Sequence, residues 1–216
     1  MKAIIVGGSG FTGRKLIDLL LQDEQITKVY ALLRHKIDLT HDQLVQVLVD
    51  FENLSFAAIT ESCDLAFCCL GSTIRKAGTK DNFRKVDFDY VLAFAKLCEQ
   101  HAVSDFHFIS AIGANPKSIF FYQRIKGEVE QFIRTQSFNS VVIYRPSVIY
   151  GNRKEFRPFE AFAAWISRNL YFHFVGKLKR IAAVTGDQLA TTIYLESKKR
   201  VVGCCIIESE KISQIQ

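Results

Sequence analysis

The chain has 216 residues, of which 49% are hydrophobic and three are proline, a composition typical of an ordered globular protein with a buried core. Its formal net charge is +6, but its basic clusters accompany no nucleic-acid-binding motif, so nucleic acid is not expected as a partner. No apolar run approaches the ~18 residues that cross a bilayer, and the first predicted strand begins too early to leave room for a signal peptide. We therefore expect a cytoplasmic protein without a membrane span.

The cysteines and histidines show no metal-ligand spacing. No two cysteines are spaced C-x-x-C, and the five histidines are scattered. Two vicinal cysteine pairs lie in apolar, strand-like runs, so all six cysteines are expected to be reduced core residues, with no bound metal. These residues are Cys63, Cys68, Cys69, Cys98, Cys204 and Cys205.

A glycine-rich loop follows the first predicted strand, Lys2–Val6, and leads into a helix with leucines at helical spacing. Its sequence is Gly7-Gly8-Ser9-Gly10-Phe11-Thr12-Gly13. This setting can hold a dinucleotide pyrophosphate, because glycines allow close backbone approach and the helix start offers N–H groups and a positive dipole end. The alternative is a plain glycine turn. Phe11 either projects toward the mouth of the site or packs in the core.

The second and third predicted strands end at side chains suited to the adenosine half of a dinucleotide. Strand two, Lys28–Leu33, ends at Arg34, which is followed by His35. An acidic residue there favours NAD, whereas a guanidinium suits a 2′-phosphate, so NADP(H) is favoured over NAD(H). The alternative is a solvated arginine. Strand three, Val47–Val49, ends at Asp50, which either accepts a hydrogen bond from the adenine amino group or is a turn residue.

The middle of the chain continues this alternation of strands and helices. Phe56–Ser62 is a candidate helix, and Asp64–Leu70 reads as a buried fourth strand. Gly71 follows it and would let the backbone approach a cofactor. A long helix is predicted over Asn82–His101. Its predicted buried face consists of Val86, Tyr90, Phe94 and Leu97.

Two further strands complete the central pattern. Phe106–Ile109 is the fifth and ends at Ser110; within it, His107 reads as a structural histidine with a satisfied hydrogen bond. Ser140–Tyr144 is the sixth and leads to Pro146.

Helices are predicted over Phe121–Thr135, Phe159–Asn169 and Gly186–Ser197, and a last strand over Val201–Ile207. The predicted core face of the first of these helices consists of Ile125, Val129, Phe132 and Ile133.

Strands that alternate with helices predict an α/β fold of the Rossmann type, a doubly wound parallel sheet with helices on both faces. We expect one domain over residues 1–216, with residues 151–200 forming a small C-terminal extension on the substrate side. Ligands bind at the carboxyl ends of such strands. The residues predicted to lie at those ends are Gly10, Arg34, Gly71, Ser110 and Pro146.

Tyr122 and Lys126 lie four residues apart and share a helical face, which is predicted to flank the core stripe. A phenol is a poor base at neutral pH, but a neighbouring ammonium stabilises the phenolate and lowers the pKa of the phenol. Tyr122 could then exchange a proton with a substrate oxygen while a nicotinamide carries the hydride. Ser110, at the end of the preceding strand, could orient that oxygen.

These segments together resemble the atypical or extended branch of the short-chain dehydrogenase/reductase superfamily. The matching pieces are Gly7-x-x-Gly10-x-x-Gly13, Ser110, Tyr122-x-x-x-Lys126 and Arg145-Pro146-x-x-x-x-Gly151. A closer resemblance, to the small Tat-interacting-protein type, is carried by Leu70–Thr73, Tyr122–Glu130 and the Arg145-Pro146 segment. The resemblance implies an NAD(P)-binding oxidoreductase, or an epimerase-like protein.

The resemblance also implies roles for individual residues. Tyr122 would be the catalytic acid/base, and Lys126 would bind the nicotinamide ribose and tune Tyr122. The remaining cofactor contacts would be Ser9 to Thr12 at the pyrophosphate, Arg34 and His35 at the 2′-phosphate, Leu70 and Gly71 after strand four, and Val148 and Ile149, after Pro146, beside the nicotinamide.

The predicted function is therefore an NADP-dependent reductase acting on a small carbonyl or alcohol. Only about 65 residues follow Gly151, which argues against a nucleotide-sugar substrate. Two alternatives stay open: an NADPH-binding sensor that controls a protein partner, and a flavin- or quinone-reductase-like protein.

Overall fold

A computed structural model describes residues 1–57, 59, 61–150, 183–199 and 201–215. Its strands are β1 (Lys2–Val6), β2 (Lys28–Leu33), β3 (Leu44–Leu48), β4 (Leu65–Cys68), β5 (Asp105–Ile109), β6 (Ser140–Arg145), β7 (Ile149–Tyr150), β8 (Val184–Thr185) and β9 (Gly203–Glu208). Seven of them form one sheet in the order β3-β2-β1-β4-β5-β6-β9, in which every neighbouring pair is parallel. The strand order reverses between β1 and β4, which is where open α/β sheets bind their ligands.

Seven α-helices are described. They are α1 (Phe11–Leu21), α2 (Ile74–Ala77), α3 (Lys80–Arg84), α4 (Tyr90–Gln100), α5 (Phe121–Ile133), α6 (Gly186–Ser197) and α7 (Ser209–Ser213). A π turn over Lys85–Asp89 joins α3 to α4. Among these helices none is long and apolar enough to span a membrane.

Both faces of the sheet are covered. Alternate side chains along a strand point to opposite faces, so Ile4 belongs to one core, with Phe94 of α4 and Val129 of α5. Ile5 belongs to the other, with Ile17 of α1 and Ile193 of α6. The predicted doubly wound parallel sheet is therefore confirmed.

Several predicted bounds differ from the structure. The third strand begins earlier, at Leu44, and the described residues of Phe56–Ser62 form no helix. The helix over Gly186–Ser197 is confirmed to the residue. The predicted helix Phe159–Asn169 and most of the predicted extension lie outside the described residues.

The cysteine prediction was wrong for Cys204. All six cysteines are free, and Cys68 and Cys98 are buried as expected, but Cys204 is exposed. The reason is its strand: β9 is the last strand of the sheet and pairs only with β6 among the described strands.

The buried face of the long helix was predicted correctly at Phe94 but wrongly at its other three positions. The residues at 86, 90 and 97 are only half-buried, and the fully buried set is Phe83, Asp87, Val91, Phe94, Ala95 and Cys98. The cause is the π turn, which accommodates an extra residue and shifts the helical stripe relative to a regular 3.6-residue period. This shift places a carboxylate, Asp87, inside the protein.

His107 is a buried structural residue, as predicted, but among the described residues only one of its two ring nitrogens has a hydrogen-bond partner. Its Nδ1 lies 2.9 Å from the hydroxyl of Tyr144, and its ring stacks on that of Phe67. Burial lowers the pKa of His107 to about 3.

We expect His107 to make the protein sensitive to acid. The unfolded chain protonates this histidine near pH ~6.5, whereas the folded protein resists protonation until far lower pH, so stability falls as the pH decreases between the two values. The slope is at most about 1.4 kcal/mol per pH unit. Urea unfolding at pH 7 and pH 5 measures it. The double variant His107→Leu/Tyr144→Phe should lose this dependence, and His41→Gln, an exposed control, should keep it; an unchanged slope in the double variant contradicts the assignment.

Candidate active site

The glycine loop between β1 and α1 is closed tightly on itself. Gly7 has a φ of +78°, and the Gly10 N–H donates to the Gly7 carbonyl at 2.9 Å. A side chain at Gly7 would lie 2.5 Å from the backbone carbon of Cys69, and one at Gly13 would overlap the Gly7 carbonyl. Only glycine therefore fits these two positions, which explains the spacing of the motif.

The start of α1 can bind an anion. No side chain caps the helix, and its first turn contains no acidic residue. Ser9 and Gly10 are exposed in front of it, while Thr12 is buried. The first N–H groups and the positive end of the helix dipole can therefore receive a negative ligand. Loop and helix start fit a dinucleotide pyrophosphate.

Phe11 packs against the protein. A side chain at Gly186, the first residue of α6, would overlap the Phe11 ring. Next to this contact, Lys15 of α1 forms an ion pair with Asp187 of α6. Of the two alternatives for Phe11, the structure supports packing.

The end of β2 presents basic side chains. Arg34 and His35 are exposed there. The segment that follows is fixed, because Arg14 Nη2 donates to the Asp38 carbonyl at 3.0 Å and the Gln46 side chain bonds the backbone of Ile37. Arg34 and His35 are thus followed by an ordered segment at the carboxyl edge of the sheet.

Asp50 is a turn residue. Its carboxylate accepts hydrogen bonds from the Glu52 backbone N–H and the Asn53 side chain, both at 2.9 Å. These bonds, the backbone one first, lower the pKa of Asp50. The residue begins a short 3-10 turn, Phe51–Asn53, at the end of β3. This geometry supports the turn alternative.

Lys126 is buried, whereas the sequence predicted that it would flank the core. Its exposure is 2%, and its Nζ lies 2.9 Å from Oδ1 of Asp87. Burial acts to lower the pKa of Lys126, but the charges of Asp87 and Tyr122 outweigh it and raise that pKa. Tyr122 is half-buried, with its ring centroid 5.6 Å from that of Phe83. The tyrosine and the lysine are therefore electrostatic neighbours on α5.

Asp87 is the site residue that sequence reasoning missed. The one available signal was an acidic residue next to the predicted apolar stripe of a long helix. Its partner lies on another helix, so periodicity along one element could not identify the pair.

Ser110 does not have a free hydroxyl. The side chain is buried, and its Oγ donates to Oε1 of Glu130 at 2.5 Å. Arg145 also binds this carboxylate, through Nε at 2.9 Å and Nη2 at 2.6 Å. A substrate oxygen would have to compete with a charged acceptor for the serine proton. The structure thus places Ser110 at the end of β5, as predicted, but its hydroxyl is already hydrogen-bonded to another side chain of the protein.

The remaining predicted contacts lie after strands β4 and β6. Leu70 and Gly71 follow β4, half-buried and exposed respectively. The Pro146 carbonyl accepts from the Ile112 N–H at 2.9 Å, and the Val148 carbonyl accepts from the Val184 N–H at the same distance. Ile149 lies in β7. Both segments follow the carboxyl ends of their strands, so they lie at the carboxyl edge of the sheet.

Among the described residues, a second pair has the spacing of Tyr122 and Lys126. Tyr194 and Lys198 lie on and just after α6, with Lys198 Nζ 5.6 Å from the centre of the tyrosine ring. Lys198 forms an ion pair with Asp23, which precedes β2. This second pair therefore stands at the opposite, amino edge of the sheet, away from the glycine loop.

A parallel sheet with a glycine loop at its reversal point defines a dinucleotide-binding protein of the Rossmann type. A sequence profile of a family described as NAD(P)H-binding matches residues 7–157. The chain belongs to this family, within the atypical short-chain dehydrogenase/reductases, as the sequence predicted. It is accordingly an NAD(P)-binding, oxidoreductase-like protein.

Similar proteins agree with this membership. The chain is 37% identical over 171 residues to HTATIP2 of Rattus norvegicus, covering 77% of this chain and 69% of that protein. It is 31% identical over 155 residues to Protein FMP52, mitochondrial, of Eremothecium gossypii, covering 71% and 69%. MoeE5 in complex with UDP-glucuronic acid and NAD shares the fold, with a TM-score of 0.72 and 16% identity over 96% of this chain and 75% of that one. The cytoplasmic location stays a prediction.

Proposed function

We propose that this protein is an NADP(H)-dependent oxidoreductase that interconverts a small carbonyl compound and its alcohol, with Tyr122 as acid/base. The observation that carries this proposal is the Tyr122 and Lys126 pair on α5. Lys126 is a buried cation with a raised pKa, so it keeps its charge at neutral pH and can stabilise a phenolate.

The roles of the residues follow from this arrangement. When bound, the nicotinamide supplies the hydride in reduction and accepts it in oxidation. In reduction, the Tyr122 hydroxyl donates its proton to the substrate oxygen, and solvent returns a proton to the phenolate. The ammonium of Lys126 lowers the cost of that phenolate. Ser110 has no part in this scheme, because its hydroxyl is held by Glu130.

The first experiment is cofactor titration of the purified protein, followed by an activity panel. NADPH and NADH binding are measured by calorimetry, and oxidation of the bound nucleotide is then followed spectroscopically with small aldehydes and ketones. Tight NADPH binding with turnover of at least one compound is expected. Binding without any turnover would refute the enzymatic proposal.

The hydrogen bond that occupies the Ser110 hydroxyl favours a second candidate function. In this function the protein is a sensor that binds the cofactor and controls a protein partner. Such a protein needs a dinucleotide site but no free hydroxyl to orient a substrate. It would bind NADPH stably, oxidise nothing in the panel, and capture its partner only when loaded with cofactor.

Arg34 is expected to determine the preference for NADP. In Arg34→Asp the cation suited to a 2′-phosphate becomes an anion, so NADPH affinity should fall roughly tenfold to a hundredfold and NADH affinity much less. Calorimetric titration of both nucleotides measures this. Lys96→Asp, the same change of charge at an exposed position of α4, is the control. Equal losses for the two nucleotides would contradict the assignment.

A further inference from the structure

Asp87 is a fully buried carboxylate beside the carboxyl end of β4. It lies in the π turn between α3 and α4, with 0% exposure. Its Oδ2 accepts a hydrogen bond from the Ser72 backbone N–H at 2.7 Å. Its Oδ1 lies 2.9 Å from Lys126 Nζ. One side chain therefore joins the π turn, the segment after β4, and the helix that carries Tyr122.

Stability alone is a poor reason for this ion pair. Taking two charges out of water carries a large desolvation penalty, and apolar residues of similar volume often replace a buried pair without loss of stability. The location supplies a better reason. A π turn frequently marks a functional site, and this one aims its carboxylate at Lys126 and at the amide of Ser72, next to Gly71.

We propose that Asp87 is a positioning residue, which fixes the Lys126 ammonium and the Gly71-Ser72 backbone for binding of the nicotinamide half of the cofactor. The proposal rests on the proposed function, because it takes Lys126 as the ligand of the nicotinamide ribose. Asp87 itself touches neither substrate nor cofactor in this account. It acts through the two groups it holds.

The electrostatics of the pair are consistent with that role. An ammonium buried without a counter-charge tends to lose its proton. The carboxylate of Asp87 opposes this tendency, and the pKa of Lys126 is raised in spite of its burial. Asp87 therefore keeps Lys126 charged and also fixes where that charge lies.

The test compares a whole cofactor with a fragment of it. Asp87→Asn keeps the size of the side chain and removes its charge. Its affinity for NADPH should fall roughly tenfold or more, while its affinity for adenosine 2′,5′-bisphosphate, which lacks the nicotinamide and its ribose, should change less than about twofold. Asp89→Asn, an exposed residue of the same π turn, is the matched control. Equal losses for both ligands, or no loss for either, would overturn the proposal.

A second variant covers the case in which Asp87→Asn does not fold. Asp87→Asn/Lys126→Gln replaces the ion pair by two neutral amides, so no lone charge stays buried. The amide oxygen that Asp87→Asn leaves in place can still accept the Ser72 N–H, so only the link to Lys126 is lost. This double variant should therefore bind NADPH as Lys126→Gln does, and a further loss in the double variant contradicts the role. These measurements read binding, so they stand apart from turnover, whose absence would refute the proposed function and leave this result intact.

Discussion

Replacing Tyr122 with Phe is expected to reduce hydride transfer at least about a hundredfold and to leave NADPH binding unchanged. The variant keeps the ring, and with it the contact to Phe83, whose centroid lies 5.6 Å away. It removes only the hydroxyl that donates the proton. Single-turnover oxidation of bound NADPH measures the rate, and calorimetry measures binding.

The chain provides its own control for this experiment. Tyr194 is half-buried, lies on a helix and precedes a lysine by four residues, as Tyr122 does. Because that lysine pairs with Asp23 at the other edge of the sheet, Tyr194→Phe should turn over like the wild type. Unchanged turnover in Tyr122→Phe, or an equal loss in Tyr194→Phe, would refute the acid/base role.

The two tyrosine pairs within the described part of the chain also show what sequence spacing can predict. Spacing alone identifies that a tyrosine and a lysine share one helical face, and it does so equally for both pairs. Only the order of strands and helices separates them, because α5 begins at the carboxyl edge of the sheet and α6 ends at the amino edge. That order was readable from the sequence, so the choice of Tyr122 was predictable.

The surroundings of the pair were not predictable. A period of 3.6 residues places Val86 and Tyr90 on the buried face, but the π turn shifts that face to Asp87 and Val91. The turn leaves no mark in the pattern of apolar residues. Consequently, the sequence alone could predict neither the ion pair of Lys126 with Asp87 nor the burial of Lys126.

Ser110 illustrates a different limit. The topology correctly placed it at the end of β5, since strand ends follow from local sequence. Its hydrogen-bond partner, Glu130, comes from a helix, and that carboxylate is bound in turn by Arg145 of β6. Which neighbour accepts the hydrogen bond of a buried hydroxyl depends on such three-dimensional contacts. The position of Ser110 at a strand end could therefore be predicted, and its hydrogen bond to Glu130 could not.

Gly127 gives the largest expected effect on stability. Replacing it with Ala should lower the free energy of unfolding by about 3 kcal/mol, although helix propensity alone would predict a gain of about 1 kcal/mol. The added methyl group would overlap the backbone of Asn115 and Pro116 and would lie 2.6 Å from the Asn115 Cα. Backbone atoms cannot move aside as a flexible side chain can, so the helix and the loop must separate.

That separation should also reach the site. The loop is held on α5 by the Asn115 N–H, which donates to the Gln123 carbonyl at 3.0 Å, one residue after Tyr122. Urea unfolding measures stability, and NADPH titration measures the site. Gln131→Ala, an exposed change on the same helix, should stay within about 0.5 kcal/mol of the wild type. If Gly127→Ala were instead more stable than the wild type, the loop around Asn115 and Pro116 would have moved to make room for the methyl group. In that case the contact between loop and helix could not be what fixes Tyr122 and Lys126 relative to the sheet.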